Sequence, residues 1–141
     1  MDLEQRITRL EDIEAIKQLK ARYCEISDDM HNPDRITSIF TEDAIWECPD
    51  FGKAVGHQAI RQQFISFQKM FSFSQHNVTN PIIAIDGNRA EGTWYIIGPW
   101  TNSEDGKEMW MTAKYEERYV KAEGQWKFQH VKVVVSMVAD R

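Results

Sequence analysis

The chain has 141 residues, 42% hydrophobic and 28% charged, the make-up of one globular domain spanning 1–141. Seventeen basic residues stand against 22 acidic ones, a net charge of -5, so the basic face that nucleic-acid binding needs is missing. No apolar run approaches the ~20 residues of a membrane span, and the charged start Met1-Asp2-Leu3-Glu4-Gln5-Arg6 lacks a signal-peptide core, so a cytoplasmic protein is expected. Cys24 and Cys48 fit no metal-ligand spacing and read as reduced packing residues. Five tryptophans, four tyrosines and seven phenylalanines are enough to line a pocket for a flat apolar ligand, or to fill an aromatic core.

Residues 3–30 read as one long helix. Leu3, Ile7, Leu10, Ile13, Ile16, Leu19 (or Lys20), Tyr23 and Ile26 recur at steps of three and four. Asn32 precedes a proline, which disfavours helix there, and Pro33 opens a short second helix over 34–40 with Asn32 as its cap. A turn at 41–43 leads to a short strand over 44–48, with a hairpin mate at 53–55. A helix over 57–70 carries Ile60, Phe64, Phe67 and Phe71 on one stripe. Four long strands follow, over 73–85, 89–101, 108–121 and 125–138, separated by turns at Gly87, Gly106 and Gly124. Hairpin connections make the sheet antiparallel, and strands this long must twist and curl. Helices first and a strand meander after describe an α+β fold: a cone-shaped curved sheet with N-terminal helices enclosing a pocket.

Both faces of the long strands are apolar. Trp94, Ile96 and Trp100 lie opposite Tyr95 and Ile97; Met109, Met111, Ala113, Tyr115 and Tyr119 lie opposite Trp110 and Thr112. In the last strand Trp126, Phe128 and His130 lie opposite Val131, Val133 and Val135, provided no bulge intervenes. One face takes the helices and the cavity, and the other is expected to pack on further subunits of a homo-oligomer. Candidate pocket residues are Trp46, Asn77, Trp94, Trp110 and His130.

The stretch Ser74-Gln75-His76-Asn77-Val78-Thr79-Asn80 opens the first long strand, yet its middle is polar. Alternation sets His76 on the parity of Val78 and Ile82, facing inward, where an unpaired imidazole is costly. The partner is sought at the end of the first helix: Asp28, with Asp29 as the alternative and Tyr23 beside it. Five residues separate Tyr23 from Asp28, about 140° on an unbroken helix, so the two converge only if the helix end frays or turns. Such a pair suits proton abstraction. The aspartate fixes the histidine tautomer and steadies the imidazolium, while Tyr23 polarises a carbonyl or protonates a departing hydroxyl. The plainer alternative is a structural histidine and a solvated helix-end carboxylate. His31, His57, His76 and His130 show no paired ligand spacing, and no phosphate loop, dinucleotide fingerprint or nucleophile elbow occurs, so neither metal nor cofactor is expected. Lys132 reads as an exposed strand lysine.

The order of elements resembles a known family. A helix ending Tyr-x4-Asp is followed by a strand with Trp46, a helix, Gln75-His76-Asn77, and three long hairpin strands closing on Gly124-Gln125-Trp126-Lys127-Phe128. This resembles the SnoaL-like branch of the nuclear transport factor 2-like superfamily, which contains scytalone dehydratase, bile-acid 7α-dehydratase and hexachlorocyclohexane dehydrochlorinase. Ile13-Glu14-Ala15-Ile16-Lys17-Gln18-Leu19-Lys20 is similar to the dehydratase helix. The resemblance implies an aspartate-oriented histidine as general base for an elimination, here Asp28 and His76, with Tyr23 where the bile-acid enzyme has a tyrosine and the dehydrochlorinase a lysine. It also implies a homotrimer packed through the sheet, with a dimer as the alternative. Two features depart from the pattern. The relatives' last-strand arginine falls at Val131 or Val135, leaving His130 or Lys132 as substitutes, and a second aspartate of the bile-acid enzyme falls near Ile97-Gly98-Pro99.

The function expected is therefore a cofactor-independent lyase, a dehydratase acting on a small hydrophobic, aromatic or polycyclic molecule. An aldehyde-releasing carbon–carbon lyase, an isomerase using the same base, and a non-catalytic small-molecule-binding module are the alternatives.

Overall fold

A computed structural model describes residues 1–140. The first helix, α1 (Leu3–Asp28), starts at a capping box. The Asp2 carboxylate accepts the Gln5 amide at 2.8 Å, and the Gln5 side chain accepts the Asp2 amide at 3.0 Å. Its apolar stripe is only partly used. Ile16, Leu19, Tyr23 and Ile26 are buried, whereas Leu3, Ile7 and Leu10 stay exposed. Lys20, at the same helical spacing, is fully buried.

Met30 and His31 both take positive φ, 51° and 47°, which turns the chain back after α1. Asn32 caps the short α2 (Pro33–Ile36), a 3-10 turn (Thr37–Ile39) follows, and strand β1 (Phe40–Cys48) begins at once. The segment expected as helix to residue 40 and turn to 43 is thus shorter helix and longer strand, because Phe40 already pairs with Phe128 of the last strand. β2 (Gly52–Val55) forms a hairpin with β1, and α3 (His57–Met70) buries Ile60, Phe64 and Phe67.

The remaining strands are β3 (Phe71–Ser74), β4 (Asn77–Asp86), β5 (Arg89–Asn102), β6 (Glu108–Ala122) and β7 (Gln125–Asp140). The sheet order is β2-β1-β7-β6-β5-β3, with β4 also pairing β5. The α+β architecture is as expected, a strongly curled half-barrel under the helices, but the sheet is mixed: β1 runs parallel to β7. A parallel pairing is open to these two strands because the chain between β1 and β7 runs through the whole meander rather than through a hairpin.

Three irregularities redirect side chains. The strand expected over 73–85 is broken, with Ser74 paired to Trp100 and Asn77 to Ile97, so Gln75 and His76 lie outside the ladder. Asn80, at φ 58°, and Pro81 bulge the next stretch, so Ile83 and Ile85 pack inward while Ile82 is 73% exposed. In β7 the register steps between Phe128 and His130, so Trp126, Phe128, Val131 and Val133 all face the core. Both cysteines are free and buried. Among the described residues no helix is long and apolar enough to cross a membrane.

Candidate active site

The break before β4 makes the site. Gln75 keeps one sheet contact, its amide donating to the Pro99 carbonyl at 3.2 Å, while the His76 amide has no strand partner. It donates instead to both oxygens of Asp28, at 2.9 and 3.1 Å. The ring closes on the same carboxylate, with Nδ1 2.6 Å from Asp28 Oδ1. A carboxylate only accepts, so Nδ1 carries the proton and Nε2 is left with its lone pair. Gly98 permits this break, since a Cβ there would collide with the Gln75 carbonyl and the Trp100 ring. Of the two neighbouring aspartates, Asp29 turns away to Asn32 at 3.0 Å and Arg35 at 3.1 Å.

The helix does not fray, and Tyr23 and Asp28 do not meet each other. They reach His76 separately: Asp28 from the last residue of α1, and Tyr23 from more than a turn earlier, its ring centroid 6.5 Å from that of His76. The Tyr23 hydroxyl accepts the Trp46 indole N–H at 2.9 Å. Burial holds the Tyr23 phenol well above its usual pKa, against the hydrogen bond from Trp46, so it stays protonated as a donor.

These groups border a cavity of about 50 Å³ walled by Tyr23, Trp46, Phe64, Phe67, Trp100, Tyr115, Val133 and Val135 among others. The His76 side chain is 7% exposed and packs edge-on to Trp100, with ring centroids 5.1 Å apart. A wider groove of about 540 Å³, whose lining includes Ser66, Lys69, Asn102 and Met109, shares Phe51, Phe71, Trp100 and Met111 with the inner cavity.

Of the five pocket residues expected from sequence, Trp46 alone lines this cavity. Trp94 faces the interior, but six residues before Trp100, roughly 20 Å along the strand. There it donates to the Tyr119 hydroxyl at 3.1 Å. Trp110 is 40% exposed on the outer parity of β6. Asn77 follows the break with an exposed side chain whose amide bonds the Ile97 carbonyl at 3.3 Å. The β7 bulge turns His130 outward to Glu47, 2.7 Å away, in a separate groove with Arg118 and Lys132. Neither His130 nor Lys132 therefore replaces a last-strand arginine, and among the described residues the cavity lining holds no lysine or arginine.

Sequence reading missed three groups. Ser27 and His31 both line the cavity. Burial among Phe64, Phe67 and Phe71, reinforced by nearby His76, lowers the His31 pKa from 6.5 to about 3. Lys20 lies beneath Tyr115, its ammonium 3.2 Å from that ring centroid and 4.1 Å from that of Tyr23. It is locked to Glu117 at 2.6 Å, both side chains fully buried, and Glu117 also accepts from Tyr119 at 2.6 Å. A lysine at apolar helical spacing was the available signal.

The profile of the SnoaL-like domain matches residues 8–132. Solved structures agree with the fold. The hexachlorocyclohexane dehydrochlorinase LinA-type3 from Novosphingobium barchaimii is 19% identical at a TM-score of 0.88, covering 96% of this chain and 94% of that one. A protein provisionally named a scytalone dehydratase from Novosphingobium aromaticivorans is 23% identical at 0.86, covering 96% and 91%. A nuclear transport factor 2-like superfamily protein from Salmonella enterica is 18% identical at 0.81, covering 88% and 90%. No curated protein sequence matches the chain. With the profile covering most of its length, the chain belongs to the SnoaL-like domain family.

Proposed function

We propose that the protein is a cofactor-independent lyase, a dehydratase in which His76 is the general base and Asp28 its orienting partner. One observation carries this reading: the 2.6 Å Nδ1···Oδ1 contact at the wall of an aromatic cavity. His76 Nε2 takes a proton from the carbon beside a substrate carbonyl. Tyr23, protonated and with its own O–H free of the Trp46 contact, hydrogen-bonds that carbonyl as charge builds on it. The C–H pair becomes the new double bond, the C–O bond breaks, and the imidazolium returns its proton to the departing hydroxide, releasing water. A positioned base of this kind contributes ~100- to 10,000-fold.

Size narrows the substrate. An inner cavity of about 50 Å³ lies far below the ~300 Å³ at which drug-sized sites begin. The part of the substrate that enters it is therefore slimmer than an aromatic ring, which takes a cavity nearer ~150 Å³, and any ring lies in the outer groove past Phe51 and Phe71; a polycyclic body does not fit inside. The same small volume favours, as a second reading, a binding module that kept the cone without the reaction. The test is turnover of a panel of β-hydroxy aryl ketones, followed by enone absorbance. Wild type should eliminate water from at least one, with His76→Ala and Asp28→Asn slower by 100-fold or more. Equal rates in wild type and His76→Ala contradict the proposal, and no turnover in wild type moves the binding module to the front.

A further inference from the structure

The cavity lining is mostly aromatic and aliphatic, with Ser27 and His31 among its few polar side chains. Ser27, on α1, is 1% exposed and lines the cavity, yet its hydroxyl has no hydrogen-bond partner in the structure. Four residues later the His31 amide bonds the Ser27 carbonyl at 2.9 Å, and His31 lines the same cavity. The His31 ring is 6% exposed, touches Phe64, Phe67 and Phe71, and makes no side-chain hydrogen bond to a described residue. Its centroid lies 5.8 Å from that of His76. The Ser27 hydroxyl, buried without a partner, is costly unless something in the cavity bonds it, and the His31 ring on the same cavity lining offers a second polar group with no side-chain bond of its own.

We infer that Ser27 and His31 form a cradle for a neutral oxygen of the substrate, a hydroxyl or ketone, at the end of the cavity beside His76. The inference rests on the cavity being the substrate site, and it adds the chemical class of the group bound there. A serine hydroxyl and a neutral imidazole each both donate and accept, which matches a hydroxyl that does the same. His31 stays neutral because its pKa is near 3, so it holds the oxygen without supplying a proton. Among the described residues an anion finds no counter-charge: the lining has no lysine or arginine, and the nearby Lys20 is taken by Glu117. Discrimination against an isostere without the oxygen follows from leaving these two groups unpaired.

The experiment is binding of phenol, toluene and benzoate to the whole chain, read by fluorescence quenching of the cavity tryptophans Trp46 and Trp100 and by amide shifts. Wild type should bind phenol roughly tenfold more tightly than toluene or benzoate. Ser27→Ala, and independently His31→Leu, should bring the phenol-to-toluene ratio close to one with toluene binding kept, which also shows that the variants fold. Toluene or benzoate equal to phenol in wild type, equal loss of phenol and toluene in both variants, or no binding of any probe overturns the inference. Failure here leaves the His76–Asp28 pair standing. Failure of that pair shows instead as unchanged turnover in Asp28→Asn, with the phenol preference intact.

Discussion

His31 makes a prediction that owes nothing to catalysis. Its folded pKa of about 3 lies below the ordinary 6.5, so unfolding takes up a proton between those values. Stability contributed by keeping it neutral is complete above pH ~6.5 and drains away as pH falls toward 3, at up to about 1.4 kcal/mol per pH unit. His31→Asn, which tolerates the left-handed backbone, should flatten denaturant midpoints across that window, while an unchanged slope contradicts the burial argument. His76 and Asp28 were legible in the sequence because a polar run interrupts a strand and an acidic run ends a helix. His31 and Ser27 were not. His31 reads as loop, and only the two positive-φ residues that fold the chain back bring it over the cavity.

At the level of elements, α1 is tied to β6 through a side-chain pair with no exposure. Removing one partner of a buried ion pair leaves the other uncompensated, typically at a cost of 3–5 kcal/mol. Lys20→Met and Glu117→Gln should each lower stability by about that amount, and the double variant by clearly less than the sum, measured by urea unfolding. Additive losses contradict a coupled pair. Gly98→Ala should force the Gln75 carbonyl away and so disturb the His76 amide and ring together, seen as loss of both His76 signals from their wild-type positions. The helices were readable from periodicity and the β5–β6–β7 meander from its glycine turns, whereas the parallel β1–β7 pairing was not. The pocket was not, because alternation was carried through breaks it does not survive. The β7 bulge turns His130 out, the gap at Gln75–His76 sits where a continuous strand was expected, and Trp94 shares the right face but lies too far along it.

Across the whole molecule, the outer face of the sheet is apolar. Tyr95, Ile97, Trp110, Val134 and Met137 are exposed on neighbouring strands, the surface that the two-faced sequence pattern anticipates. We expect this face to be covered in a homotrimer, with a dimer as the alternative; sedimentation should show the oligomer, and Ile97→Lys should shift it toward monomer. A monomeric wild type at micromolar concentration contradicts that expectation. Such assembly leaves the inner cavity untouched, since its lining belongs to the opposite side of β6 and β7.

The central claim is that Asp28 holds His76 in one tautomer at the cavity wall. It is tested most directly by 15N NMR of the His76 ring nitrogens in wild type and Asp28→Asn. The account predicts a neutral wild-type ring protonated on Nδ1, and loss of that single tautomer in Asp28→Asn, because the carboxylate that accepts from Nδ1 is gone. The same His76 ring-nitrogen shifts in the two proteins would contradict it.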